Sequence, residues 1–114
     1  MSFWRKEVIP FALSHETRLH IEEQRAWIER EPRNGRPYYN LAQLYRMEGR
    51  QEAALGLLLE AVRQEVGFAE AHVALAEIYA VREDYRAAWR HARAAERAGE
   101  SSAVDLLKRY GLAE

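Results

Sequence analysis

"NLAQLYRMEGRQEAALGLLLEA", residues 40–61, is restated thirty-four residues later as "ALAEIYAVREDYRAAWRHARAA", residues 74–95. Leu41, Ala42, Tyr45, Ala53, Ala54 and Ala61 return as Leu75, Ala76, Tyr79, Ala87, Ala88 and Ala95. Self-similarity at a fixed period of ~20–50 residues is the mark of stacked structural repeats. Inside each copy the apolar residues step by three and four, the spacing of one helix face. Tyr38, Leu41, Ala42 and Tyr45 make the first stripe, and "EGR" (48–50) interrupts it. Ala54, Leu57, Leu58, Ala61 and Val62 then make a second stripe, ending near Gly67. The second copy repeats the plan with His72, Leu75, Ala76 and Tyr79, then Tyr85, Ala88, His91, Ala92 and Ala95, closed by Gly99.

The flanks read as helices too. Ser14 can cap a helix with Glu16 in its first turn, which suits the helix dipole. That helix is expected to stop at Glu31, because Pro32 disfavours helical backbone in its predecessor. It is expected to bury Trp27, with Leu19 and Ile28, against the first copy. Downstream, Ser102 and Asp105 have capping-box spacing for a short helix through Leu106, Leu107 and Tyr110, ended by Gly111. No strand pattern interrupts this series. The expected fold is therefore all-α: one domain over residues 1–114, with tandem helix–turn–helix units at 35–68 and 69–102. An apolar segment (1–13) and a helix (14–31) precede them, and a capping helix (103–114) follows. Small residues such as Ala42, Ala54, Ala76 and Ala88 let backbones approach, while Tyr45 and Tyr79 fill the space between. One such unit cannot bury its own apolar face, so the flanking helices are needed to cover the two copies.

These residues resemble the tetratricopeptide repeat family. Tyr38, Leu41, Ala42, Tyr45, Gly49, Ala54, Leu58 and Ala61 follow its pattern in the first copy. His72, Leu75, Ala76, Tyr79, Tyr85, Ala88 and Ala95 follow it in the second, and Glu31-Pro32 falls at the family's repeat end. The likeness covers roughly residues 35–102. Glu83 stands where the turn glycine is usual, which implies a strained or altered second turn. Val66 and Glu100 stand where proline is usual, which implies longer helices there. Ala92 replaces a large residue, leaving room for a neighbouring side chain. By resemblance the helices stack into a short right-handed superhelix.

The resemblance also implies a function, protein–protein binding as an adaptor or assembly factor. In the family the first helices of successive pairs line a concave groove that holds a peptide or helix of a partner. Carried over, that groove is expected to present Arg36, Tyr39, Asn40, Gln43, Arg46 and Met47 from the first copy. Glu70, Val73, Glu77 and Val81 come from the second, with Lys108 at the rear. Arg36 and Arg46 are expected to pair with a partner's carboxylates, and Tyr39 and Met47 to hold an apolar anchor. The clamp that some members use on a C-terminal carboxylate is only partly matched, by Arg36 and Asn40; Val73, Ala74 and Glu77 depart from it.

Composition narrows the function further. The chain is 48% apolar and 31% charged, a globular balance, and its formal net charge of −1 lacks the basic excess that nucleic acid demands. There is no cysteine, which removes disulfides, thiolate zinc sites and a cysteine nucleophile and is compatible with a cytoplasmic location. No triad spacing, phosphate-cradling loop or nucleotide fingerprint occurs, so no enzyme activity and no cofactor are expected. "HETRLH" (15–20) nearly spells a zinc-protease motif. His15 and His20 are five apart, however, about 140° round a helix, where a shared metal needs four and about 40°. A metal- or haem-binding protein stays open as an alternative, through Glu16, His20 and Glu23 on one face, or through His72 and His91 if their stripes meet.

The segment 1–13 is the other candidate. Phe3, Trp4, Val8, Ile9 and Phe11 are too apolar to remain in water. They can cover the chain's own first helix, or bury in a partner or a second copy, making a self-assembling scaffold. They can also anchor at a membrane surface, for which Trp4, Arg5 and Lys6 suit but Glu7 and Pro10 do not. Glu7 and Pro10 likewise interrupt any signal-peptide core, and the chain is expected to be soluble and uncleaved.

Overall fold

The computed structural model describes the backbone of residues 2–114, and side chains from residue 15 onward. Among the described residues there are six helices and no strand: α1 (Ser2–Arg30), α2 (Gly35–Met47), α3 (Gln51–Gln64), α4 (Ala69–Val81), α5 (Tyr85–Arg97) and α6 (Ser102–Arg109). The pairs α2–α3 and α4–α5 are the two sequence repeats, folded as antiparallel hairpins. Each hairpin packs on the next through α3 and α4, with α1 laid on α2 in front and α6 on α5 behind.

Three turns explain the period. The first helix of each hairpin (the A helix, α2 or α4; the second, α3 or α5, is the B helix) ends as Tyr45 or Tyr79 offers its carbonyl to the N–H five residues on, Arg50 or Asp84, both at 2.9 Å. The residue between must adopt positive φ, which glycine does without steric cost. Gly49 does so at φ 78°, and Glu83 does so at φ 63° in the second copy. The turn that lacks its glycine thus keeps the same shape, with the strain placed on Glu83. The hairpin ends with the same bond, Glu100 N–H to Ala95 at 2.9 Å, across Gly99. Helix starts are satisfied differently. Asn34 Oδ1 accepts from Arg36 N–H at 2.9 Å, and Asp84 Oδ1 from Ala87 N–H at 3.2 Å.

The small residues do what close packing requires. Ala42, Ala54, Ala61, Ala88, Ala92 and Ala95 have no exposed surface, and neither do Leu58 and Leu75 between them. Gly35 serves the same end: a Cβ there would lie 2.9 Å from the Phe68 ring and 3.0 Å from the Ala61 carbonyl. At the rear, Trp89 and Ala92 of α5 meet Ala103, Val104 and Leu107 of α6, so the space above Ala92 is filled from the capping helix.

Several expectations need correction. Helix α1 begins upstream of Ser14, which therefore is not its cap; serine is tolerated inside a helix even though it prefers the end. Its inward residue is Ile21, with Ile28 packed beside it, while Leu19 is 46% exposed. Trp27 is half-buried and spends its indole N–H on Glu31, 3.0 Å away and one turn along. The stripe that meets α2 is thus Ile21, Gln24, Arg25 and Ile28, with Gln24 bonded to Asn40 and Arg25 to the Tyr45 hydroxyl. At α6 the capping box of Ser102 and Asp105 does not form. Ser102 is already helical, its N–H goes to the Glu100 carboxylate at 3.0 Å, and the Ser101 hydroxyl takes Asp105. Nor do α3 and α5 run long without their prolines: Glu65 is extended and Gly99 left-handed, so the helices end at Gln64 and Arg97. Phe3, Trp4, Val8, Ile9 and Phe11 lie outside the residues whose side chains are described.

Candidate partner-binding groove

The outward stripes of the A helices run parallel. On α2 it is Arg36, Tyr39, Gln43 and Met47; on α4 the residues thirty-four later, Glu70, Val73, Glu77 and Val81. Steps of three and four keep each set on one helix face, opposite the buried leucines. Four clefts open between these stripes and α6. The largest, about 490 Å³, is lined by Arg46, Gln51, Glu77, Ile78, Val81 and Arg82. A second lies among Tyr39, Gln43, Glu70, Val73 and Glu77, with Glu100 and Ser102 at its far wall. A third continues over Val73 and Glu77 to Leu106 and Arg109, and a fourth touches Gln43, Arg46, Met47 and Gln51. Shared walls make them one shelf, with Met47 and Val81 standing 75% and 85% exposed at its rim.

Eight of the eleven expected groove residues therefore line it: Tyr39, Gln43, Arg46, Met47, Glu70, Val73, Glu77 and Val81. Three are engaged elsewhere. Arg36 is held by Glu70 in a two-pronged ion pair, 3.0 and 3.3 Å, and its guanidinium lies over the Phe68 and Tyr39 rings at 4.7 and 5.5 Å. It is not free to meet a partner's carboxylate as expected. Asn40 is turned to Gln24 of α1. Lys108 does not line the clefts; nearby, the Glu114 carboxyl is held below its ordinary range chiefly by the hydrogen bond from Arg93, with the charge of Lys108 a small addition. On α6 the lining residues are Ser102, Ala103, Leu106 and Arg109. Sequence reading missed them because a short terminal helix carries no repeat mate to set its register. The offset of α6 is also one residue shorter: helix starts at 35 and 69 are thirty-four apart, but 69 and 102 are thirty-three, because α5 has 13 residues where α3 has 14.

The histidines meet, as the stripes implied. His72 Nδ1 and His91 Nδ1 are 3.0 Å apart, and His72 Nε2 is 2.9 Å from the Val66 carbonyl. A carbonyl only accepts, so the hydrogen-bond network assigns the proton to Nε2 of neutral His72 and makes His91 Nδ1–H the donor of the pair. Both rings are buried, and the Tyr79 ring stacks on His91 at 5.6 Å. Burial, then the neighbouring His72 and Arg90, push His91 down to about 4. Each facing nitrogen serves the other. Among the described residues no group of three or more His, Cys, Asp or Glu side chains is placed to hold a metal ion, and of Glu16, His20 and Glu23 only His20 and Glu23 approach, at 3.7 Å.

Helical hairpins repeated at thirty-four residues, stacked through B-to-A contacts and presenting a shelf of A-helix side chains, agree with the comparison to known families. The tetratricopeptide repeat profile matches residues 15–95. No curated protein matches the chain. Among the described residues no helix is long and apolar enough to cross a membrane.

Proposed function

The chain belongs to the tetratricopeptide repeat family, and we propose that it is an adaptor whose groove between α2, α4 and α6 takes a segment of a partner protein. Members of this family bind proteins in general; the groove assignment is the finer reading. One observation carries it: four adjoining clefts are lined by repeat-related residues of α2 and α4. Apolar side chains held exposed beside charged ones on rigid helices suit a peptide or helix laid across them. Met47 and Val81 offer apolar contact, Arg46 and Gln43 hydrogen bonds. In this reading the work is binding and not turnover, the partner is a protein and not nucleic acid, and the setting is the cytoplasm.

Capture from lysate of the source cells with wild type and with a Tyr39→Ala/Arg46→Ala variant tests it. A protein recovered by the first and missing from the second is expected. Recovery of the same proteins by both removes the groove from the account.

A further inference from the structure

We propose that the groove selects a partner segment with a basic side chain at its centre and acidic ones to either side. The inference rests on the groove reading above and goes on to the chemistry of the occupant.

Sorting the ionisable side chains of the clefts by what they already hold leads to it. Glu70 holds Arg36. Arg82 holds Glu52. The Glu100 carboxylate accepts the Ser102 N–H that opens α6. Three groups are left. Among the described residues Arg46 reaches only the Gln43 amide oxygen, at 3.2 Å. Glu77 and Arg109 make no hydrogen bond or ion pair among the described residues.

These three lie on the three helices that bound the shelf, Arg46 on α2, Glu77 on α4 and Arg109 on α6. The shelf therefore runs positive, negative, positive. Glu77 is its centre: it lines three of the four clefts. Val73 and Val81 stand one turn before and after it on the same face of α4. Their apolar side chains flank Glu77, which is half-buried. A charge in that setting is stabilised by an opposite charge more than one in open solvent is, and it repels a like charge just as strongly. An incoming lysine or arginine meets that need, its methylene stem lying on Val73 or Val81. Carboxylates on its two flanks then reach Arg46 and Arg109. A segment with a central acid meets Glu77 head-on and is refused, which makes the same carboxylate a device for specificity.

The test is selection of peptides from a random display library on the full-length chain, followed by fluorescence-anisotropy titration of one selected, labelled peptide. The expected consensus has Lys or Arg at the centre with Asp or Glu to both sides. Glu77→Gln is expected to weaken the selected peptide ~10-fold. Glu77→Lys is expected to abolish its binding and to gain binding of the peptide whose central basic residue is replaced by Glu, its acidic flanks kept for Arg46 and Arg109. Both variants should melt as wild type does, since Glu77 makes no hydrogen bond or ion pair among the described residues. Peptides without a central basic preference, or bound equally by Glu77→Lys, overturn the inference. If those same peptides are lost from Tyr39→Ala/Arg46→Ala, the groove reading survives it. If every variant binds them as wild type does, or the library yields no binder, both fail.

Discussion

Tyr38 and His72 hold the same position in the two repeats and make the same hydrogen bond. The Tyr38 hydroxyl donates to the Pro32 carbonyl at 2.8 Å, and His72 Nε2–H donates to the Val66 carbonyl at 2.9 Å. Each ties the start of an A helix to the loop before it. The imidazole adds what the phenol lacks, a second nitrogen that faces His91, where the first repeat has Leu57.

That difference predicts a pH-sensitive second hairpin. His91 sits near 4 when folded and near 6.5 when unfolded, so between those values the unfolded chain binds the additional proton. Stability is then complete above about pH 6.5 and falls as the pH drops toward 4, by at most about 3 kcal/mol. Giving the second repeat the residues of the first, His72→Tyr with His91→Leu, keeps the Val66 bond and removes the titration. Urea midpoints measured from pH 7.5 to 4 should fall less steeply in that double variant. A parallel fall in both would place the acid sensitivity elsewhere.

At the turn of the second hairpin, Glu83→Gly should stabilise the protein by about 1 kcal/mol, since a side chain at positive φ clashes with its own backbone. The mirror change Gly49→Ala should destabilise by a similar amount, nothing in the surroundings obstructing the added methyl. Equilibrium unfolding in urea reads both. A destabilised Glu83→Gly would mean that the glutamate side chain contributes more than its backbone strain costs.

The register of α1 gives a third contrast. Ile21→Ala should cost roughly 2–3 kcal/mol, because it empties a buried site between α1 and α2. Leu19→Ala should stay within about 0.5 kcal/mol, as for other exposed positions. Equal losses from the two would show α1 rotated relative to this packing.

Much of this was legible in the chain because it is local. A stripe such as Leu41, Ala42 and Tyr45 needs only the pitch of a helix to be placed on one face, and its return at Leu75, Ala76 and Tyr79 needs only counting. The likeness to the family, carried over position by position, put Tyr39, Gln43, Val73 and Glu77 on an outward face, and they line the clefts there. Counting failed where two faces of one helix were both plausible. Trp27 looks like the more apolar anchor for α1, yet Ile21 and Ile28 lie inward, because the surface of α2 chooses the face. It failed also for α6, whose register follows from α5 being one residue shorter than α3 and from the hole above Ala92.

The sequence by itself determined the helices, their period and the side on which each hides its leucines, since these depend on neighbours within one or two turns. Only the tertiary structure decided which charges are left over. Arg36 and Glu70 are thirty-four residues apart and neutralise each other, whereas Glu77 has no ion-pair partner among the described residues. Pairing of that kind depends on distances through space between separate helices, and no spacing along the chain encodes it.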